Sequence, residues 1–181
     1  HPEYESSRTI FYSGFDQQPA AIVRVADAPD VARVVRFAGD LGIELAVKAG
    51  GHSLSGFSLS EGGLVIDLSA MKGIDIDPEA RTASAQGGVT TGELTTATAE
   101  HGLTIGFGDT GSVGIGGITL AGGIGFLVRK YGLTIDNLSY HGIPLKFMIL
   151  MTITAVVVAV MLIWLGRKMR WVSQNASWRP L

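Results

Sequence analysis

The chain has 181 residues, 46% hydrophobic and 17% charged, with 14 Lys and Arg against 16 Asp and Glu for a net charge of −2. That length accommodates one ordinary domain, or one domain with an appendage, and no Lys/Arg stripe is present to neutralise phosphates, so a nucleic-acid partner is not expected. Cysteine is absent, which excludes disulfides, thiolate zinc sites, iron–sulfur clusters and cysteine nucleophiles. The chain starts at His1 with no signal-peptide pattern, which reads as a processed or trimmed start.

In chain order, IVRVA (22–26) is a β-branched run and predicts a strand. The next segment places Val31, Val34, Val35, Ala38 and Leu41 at helical spacing, with Gly42 as a stop. IELAVKA (43–49) predicts a second strand and closes a β-α-β unit. GLVIDLS (63–69) and the two arms of GIDIDPEARTASA (73–85) predict further strands, with Asp77-Pro78-Glu79-Ala80 as the turn between the arms. A helix follows from about Thr91 to Glu100, then LTIGF (103–107) as a strand. From Gly106 to Gly125, nine of twenty residues are glycine. Each glycine costs roughly 0.5–1 kcal/mol relative to alanine inside a helix or strand, so neither element is expected there. Close approach of backbone to a ligand would offset that cost.

The last quarter differs. FMILMTITAVVVAVMLIWL (147–165) holds nineteen uncharged residues. At 1.5 Å per residue such a run nearly spans a hydrocarbon core of about 30 Å, so a transmembrane helix is expected. Trp164 and Trp171 fall near the expected interface, and Arg167, Lys168 and Arg170 outweigh Lys146, predicting a single-pass protein with a cytoplasmic C-terminus. Thr152, Ala155 and Ala159 offer a small-residue face for packing on other membrane-protein subunits, with membrane lipid around the rest. The organisation expected is therefore a domain over 1–139, a linker over 140–146, the span over 147–165 and a basic tail over 166–181.

Two glycine-rich stretches in an α+β chain invite a nucleotide reading, because exposed backbone N–H groups can cradle a pyrophosphate. A P-loop motif is absent, and GSVGIGG does not open a helix after the first strand, so the common dinucleotide fingerprint is weak. No Ser/His/Asp triad and no metal-ligand cluster stands out, so no metal is expected. Asp109 reads as a turn residue, His101 as a helix C-terminal residue, and Phe57, Phe107, Phe126 and Tyr131 as packing aromatics.

VKAGGHSLSG, followed some sixty residues later by TGSVGIGGITLAGGIGFLVRKYGLTIDNL, resembles the FAD-binding domain of the vanillyl-alcohol-oxidase superfamily, with berberine-bridge and 6-hydroxynicotine-oxidase-like oxidases as the nearest type. The similarity runs from about residue 10 to 138 and rests on two separated motifs in the expected order. It implies an α+β FAD-binding domain, incomplete and opening on the β-α-β unit; the uncharged run over 147–165 adds one transmembrane α-helix after it, where the family would continue into another strand. It also implies FAD as cofactor. Lys48, Ala49, Gly50, Gly51, His52 and Ser53 would form the first pyrophosphate loop, and Thr110, Gly111, Ser112, Val113, Gly116, Gly117, Gly122, Gly123 and Gly125 the second. In relatives with this Gly-Gly-His sequence the histidine commonly bonds to the flavin 8α-methyl, which makes His52 the implied attachment point.

Two departures stand out. Lys48 replaces the family's usual arginine, giving a charge without a planar fork. Thr110 occupies the position of the cysteine that forms a second flavin bond in some members. The function expected is a membrane-anchored FAD-binding oxidoreductase module in which a substrate, not identified by the sequence, delivers hydride to the flavin. The alternative is a noncatalytic single-span accessory subunit of a larger membrane complex, such as a respiratory one.

Overall fold

A computed structural model of the chain describes residues 1–138. The expected linker, span and tail (140–146, 147–165 and 166–181) lie outside the described residues. Among the described residues, no helix is long and apolar enough to cross a membrane.

The elements run in order α1 (Tyr4–Arg8), β1 (Ala21–Arg24), α2 (Ala28–Leu41), β2 (Leu45–Lys48), β3 (Leu64–Asp67), β4 (Ile74–Asp77), β5 (Thr82–Ala85), α3 (Thr91–Ala99), α4 (Ile115–Leu120) and α5 (Val128–Tyr131), then a 3-10 turn at Ile135–Asn137. Strands β1, β3 and β2 form a parallel sheet with β3 in the middle; Leu64 pairs with both Ala21 and Leu45. A parallel strand buried on both faces reads as a continuous apolar run, and Leu64, Val65, Ile66 and Asp67 are all buried. Strands β4 and β5 form a separate antiparallel hairpin. Its turn is set by Asp77, whose Oδ1 accepts from the N–H groups of Glu79 and Ala80 at 3.0 and 2.9 Å.

The predicted helix after β1 appears as α2 and stops at Gly42 as the sequence implies; its N-terminus is capped by Asp27, which the sequence reading did not single out. Asp27 accepts from the Asp30 N–H at 2.8 Å, and Gly42 closes the helix in the left-handed region at φ 64°. Its apolar face is less covered than the spacing suggests, because only Ala38 is buried while Val35, Phe37 and Leu41 remain exposed. Helix α3 begins on a capping box made by Thr90 and Glu93.

Two expectations fail. LTIGF forms no strand, since it meets no ladder partner among the described residues; Phe107 instead anchors a core with Val89 and Leu94. The glycine-rich stretch does contain a helix, α4, where a helix was not expected. Packing overrides propensity there, because Ile115 and Ile118 bury against that same core. The other core joins Ile10, Ala46, Leu59 and Val65, with Phe15 and Ile22 packed on it.

Candidate functional site

The site forms where the chain leaves β2. Residues 49–58 make the first loop, and 108–114 make the second. The second loop is pinned to the start of α3: Thr91 N–H donates to the Val113 carbonyl at 2.8 Å, Gly92 N–H to Gly111 at 2.9 Å, and the Thr91 hydroxyl to Thr110 at 2.8 Å. The two loops then meet backbone to backbone. A Cβ on Gly50 would lie 2.3 Å from the Gly114 nitrogen, and one on Gly114 would lie 2.5 Å from the Gly50 nitrogen. Only glycine on both sides permits that approach.

Beside the junction lies a cavity of about 630 Å³. Of the residues expected at the site, Ala49, Gly50, Gly51, His52, Ser53, Thr110, Val113, Gly116 and Gly117 line it. Val47, Leu68, Ile118 and Leu120 add apolar wall. Among the described residues, the N–H groups of Gly51, His52, Ser53, Gly111 and Ser112 have no protein acceptor. Unpaired N–H groups grouped at two glycine turns suit an anionic group. The donor set and the glycine-only junction fit the pyrophosphate of a dinucleotide cofactor.

His52 is partly buried, and desolvation holds its imidazole below the ordinary histidine value of 6.5. Its Nε2 lies 2.9 Å from the Ser112 Oγ, which joins the two loops. Phe11 stacks on the ring, with centroids 4.2 Å apart and planes 20° from parallel, and Tyr12 meets it edge-on at 6.4 Å.

The remaining expected residues are placed differently. Lys48 does not line the cavity. Its Nζ donates to the carbonyls of Ser7 and Thr9, the latter at 3.1 Å, and burial lowers its pKa, partly offset by Asp67. It ties down the N-terminal segment. Gly111 serves as an anchor on α3, while Gly122 and Gly123 lie past α4, where their carbonyls accept from Ile135 and Thr134. At Gly123 the reason for glycine is packing: φ is +72° and a Cβ would fall 1.9 Å from the Thr134 Oγ1. Gly125 borders a smaller cavity of about 210 Å³ with Asp109, Ile124 and Phe126.

Asp109 lines both cavities rather than acting as a turn residue alone. Of the aromatics expected to pack, Phe107 is buried, whereas Phe57, Phe126 and Tyr131 are exposed. Phe11, Tyr12 and Leu68 are cavity residues that sequence reasoning did not single out. Phe11 and Tyr12 carried no motif; an adjacent aromatic pair ahead of the first strand was the available signal.

Two glycine loops that abut beside an apolar-walled cavity, on a small parallel sheet, define an α+β domain for a large anionic cofactor. The chain belongs to the FAD binding domain family, whose model matches residues 19–142, and its cofactor is FAD. It is 43% identical over 122 residues to (R)-6-hydroxynicotine oxidase of Paenarthrobacter nicotinovorans, covering 67% of this chain and 27% of that protein. An FAD-linked oxidoreductase of Bacillus subtilis is 36% identical over 137 residues, covering 76% and 30%. Among solved structures, 6-hydroxy-D-nicotine oxidase of Arthrobacter nicotinovorans superposes with a TM-score of 0.72 at 38% identity, over 75% of this chain and 30% of that one. Glucooligosaccharide oxidase of Acremonium strictum, described with a 6-S-cysteinyl, 8α-N1-histidyl FAD, superposes with a TM-score of 0.71 at 30% identity, over 75% and 29%. The chain thus spans under a third of the length of these relatives. The family supports a flavin oxidoreductase role.

Proposed function

We propose that residues 1–138 are the cofactor-holding part of an FAD-linked oxidoreductase in which His52 carries the flavin covalently. The observation behind this reading is the Gly50–Gly114 junction, with the unpaired N–H groups of Gly51, His52 and Ser53 at the cavity wall and those of Gly111 and Ser112 on the abutting loop. Those N–H groups would hold the pyrophosphate. Val47, Leu68, Val113 and Ile118 would exclude water from the ring system, and His52 would present a neutral lone pair. When bound, FAD supplies the acceptor for a hydride leaving an organic donor. With no cysteine in the chain, a second flavin bond of the cysteinyl kind has no atom to form it.

Incubating the full chain with FAD and measuring acid-stable flavin tests this reading. Protonation removes the imidazole lone pair, and burial moves that event below pH 6.5. The attachment rate is therefore expected to level off at higher pH and to fall in acid with a midpoint below 6.5. His52→Ala should bind FAD reversibly and retain none after acid. A wild type that keeps no flavin after acid would overturn the covalent reading, and one that loses flavin even on native gel filtration would overturn the cofactor-holding role as well.

We also propose that 147–165 forms one membrane span, with 166–181 cytoplasmic and lipid or other membrane subunits as neighbours. Its support is the uncharged nineteen-residue run and the basic flank. The full chain should stay in the membrane pellet after alkaline carbonate extraction; release to the supernatant would refute it.

A further inference from the structure

Phe11 is a large apolar side chain left 61% exposed, yet it is tied closely to one residue. Its backbone N–H donates to the Gly51 carbonyl at 3.0 Å, and its ring lies over the His52 imidazole. The segment that carries it is held from both sides. Lys48 Nζ binds the carbonyls of Ser7 and Thr9, and Ile10 is buried in the core with Ala46 and Val65. From the opposite loop, Ser112 meets the edge of the same imidazole at Nε2. The ring of His52 is thus fixed on one face by Phe11 and on one nitrogen by Ser112, at the wall of the cavity that Phe11 itself lines.

We infer that Phe11 and Ser112 are positioning residues that orient His52 for bond formation with the flavin, with Phe11 setting the plane of the ring and Ser112 accepting from Nε2–H so that the lone pair sits on Nδ1. This rests on the covalent reading of His52 proposed above. The bond formed is between an imidazole nitrogen and the 8α carbon. One 8α C–H bond breaks and releases a proton, the imidazole gives up one proton, and these two protons with the two electrons of the broken bond would remain on the flavin as its reduced form. Dioxygen then accepts both electrons and both protons, leaving peroxide and oxidised, attached flavin. Holding the nucleophile in one orientation removes rotational freedom that the reaction would otherwise have to lose.

The test uses the full chain and its variants Phe11→Leu, Phe11→Trp and Ser112→Ala, each mixed with FAD. Three quantities are read: the FAD dissociation constant before attachment, the attachment rate at saturating FAD, and the attached nitrogen from NMR of the flavinyl peptide. Phe11→Leu should slow attachment roughly tenfold even at saturating FAD, and Phe11→Trp should restore the rate. Ser112→Ala should yield a mixture of Nδ1 and Nε2 products. Attachment by both Phe11→Leu and Ser112→Ala at the wild-type rate, through one unchanged nitrogen, overturns this inference alone. A wild type that gains no acid-stable flavin overturns the covalent reading and this inference with it.

Discussion

Replacing Gly50 with alanine is expected to weaken FAD binding by roughly ten- to a hundredfold, the equivalent of about 1–3 kcal/mol of overpacking. The added methyl would sit 2.3 Å from the Gly114 nitrogen and 2.8 Å from the Ser112 carbonyl, so the loops must part. Neither neighbour is the end of a flexible side chain that can swing away. Parting them would also separate Ser112 from His52, now 2.9 Å apart. The fold itself should persist, because the junction lies outside both core clusters. Gly39→Ala is the matched control. It lies inside α2 with nothing within 4 Å of a new Cβ, so it should leave FAD binding unchanged and stabilise the chain slightly. Fluorescence titration with FAD measures both variants. Wild-type affinity in Gly50→Ala would mean that the two loops do not act as one cradle.

The second large effect concerns the sheet that presents the first loop. Ile66 is fully buried in β3, which is paired on both sides. Ile66→Ala removes packed methyl groups and leaves a cavity, at a cost of about 2–5 kcal/mol. Against a total stability of roughly 5–15 kcal/mol, that is a large share. The urea midpoint of Ile66→Ala should fall sharply, whereas Val35→Ala, at a side chain 47% exposed on α2, should move it little. Equal shifts in the two variants would contradict the placement of β3 at the centre.

Much of this arrangement was legible in the sequence because its causes are local. Gly42 stops α2 as a left-handed glycine should, and the apolar run at 64–67 becomes the central strand. Gly50, Gly51 and His52 mark the first loop through the family resemblance they carry, since they match no standard nucleotide motif. Features set by distant contacts were less readable. Helix α4 exists because Ile115 and Ile118 find a core built by Val89, Leu94 and Phe107, which its own glycines do not advertise. LTIGF has strand composition but no partner strand among the described residues. Lys48 looks from its position like a phosphate ligand, yet its ammonium reaches across forty-one positions to Ser7. That reach brings Phe11 to His52, a juxtaposition no motif encodes.

The most direct measurement is the intact mass of the full chain after incubation with FAD and denaturation, followed by peptide mapping. The account predicts a gain equal to FAD less two hydrogens, carried by the peptide containing His52, and no gain in His52→Ala. An unmodified wild-type mass would contradict it.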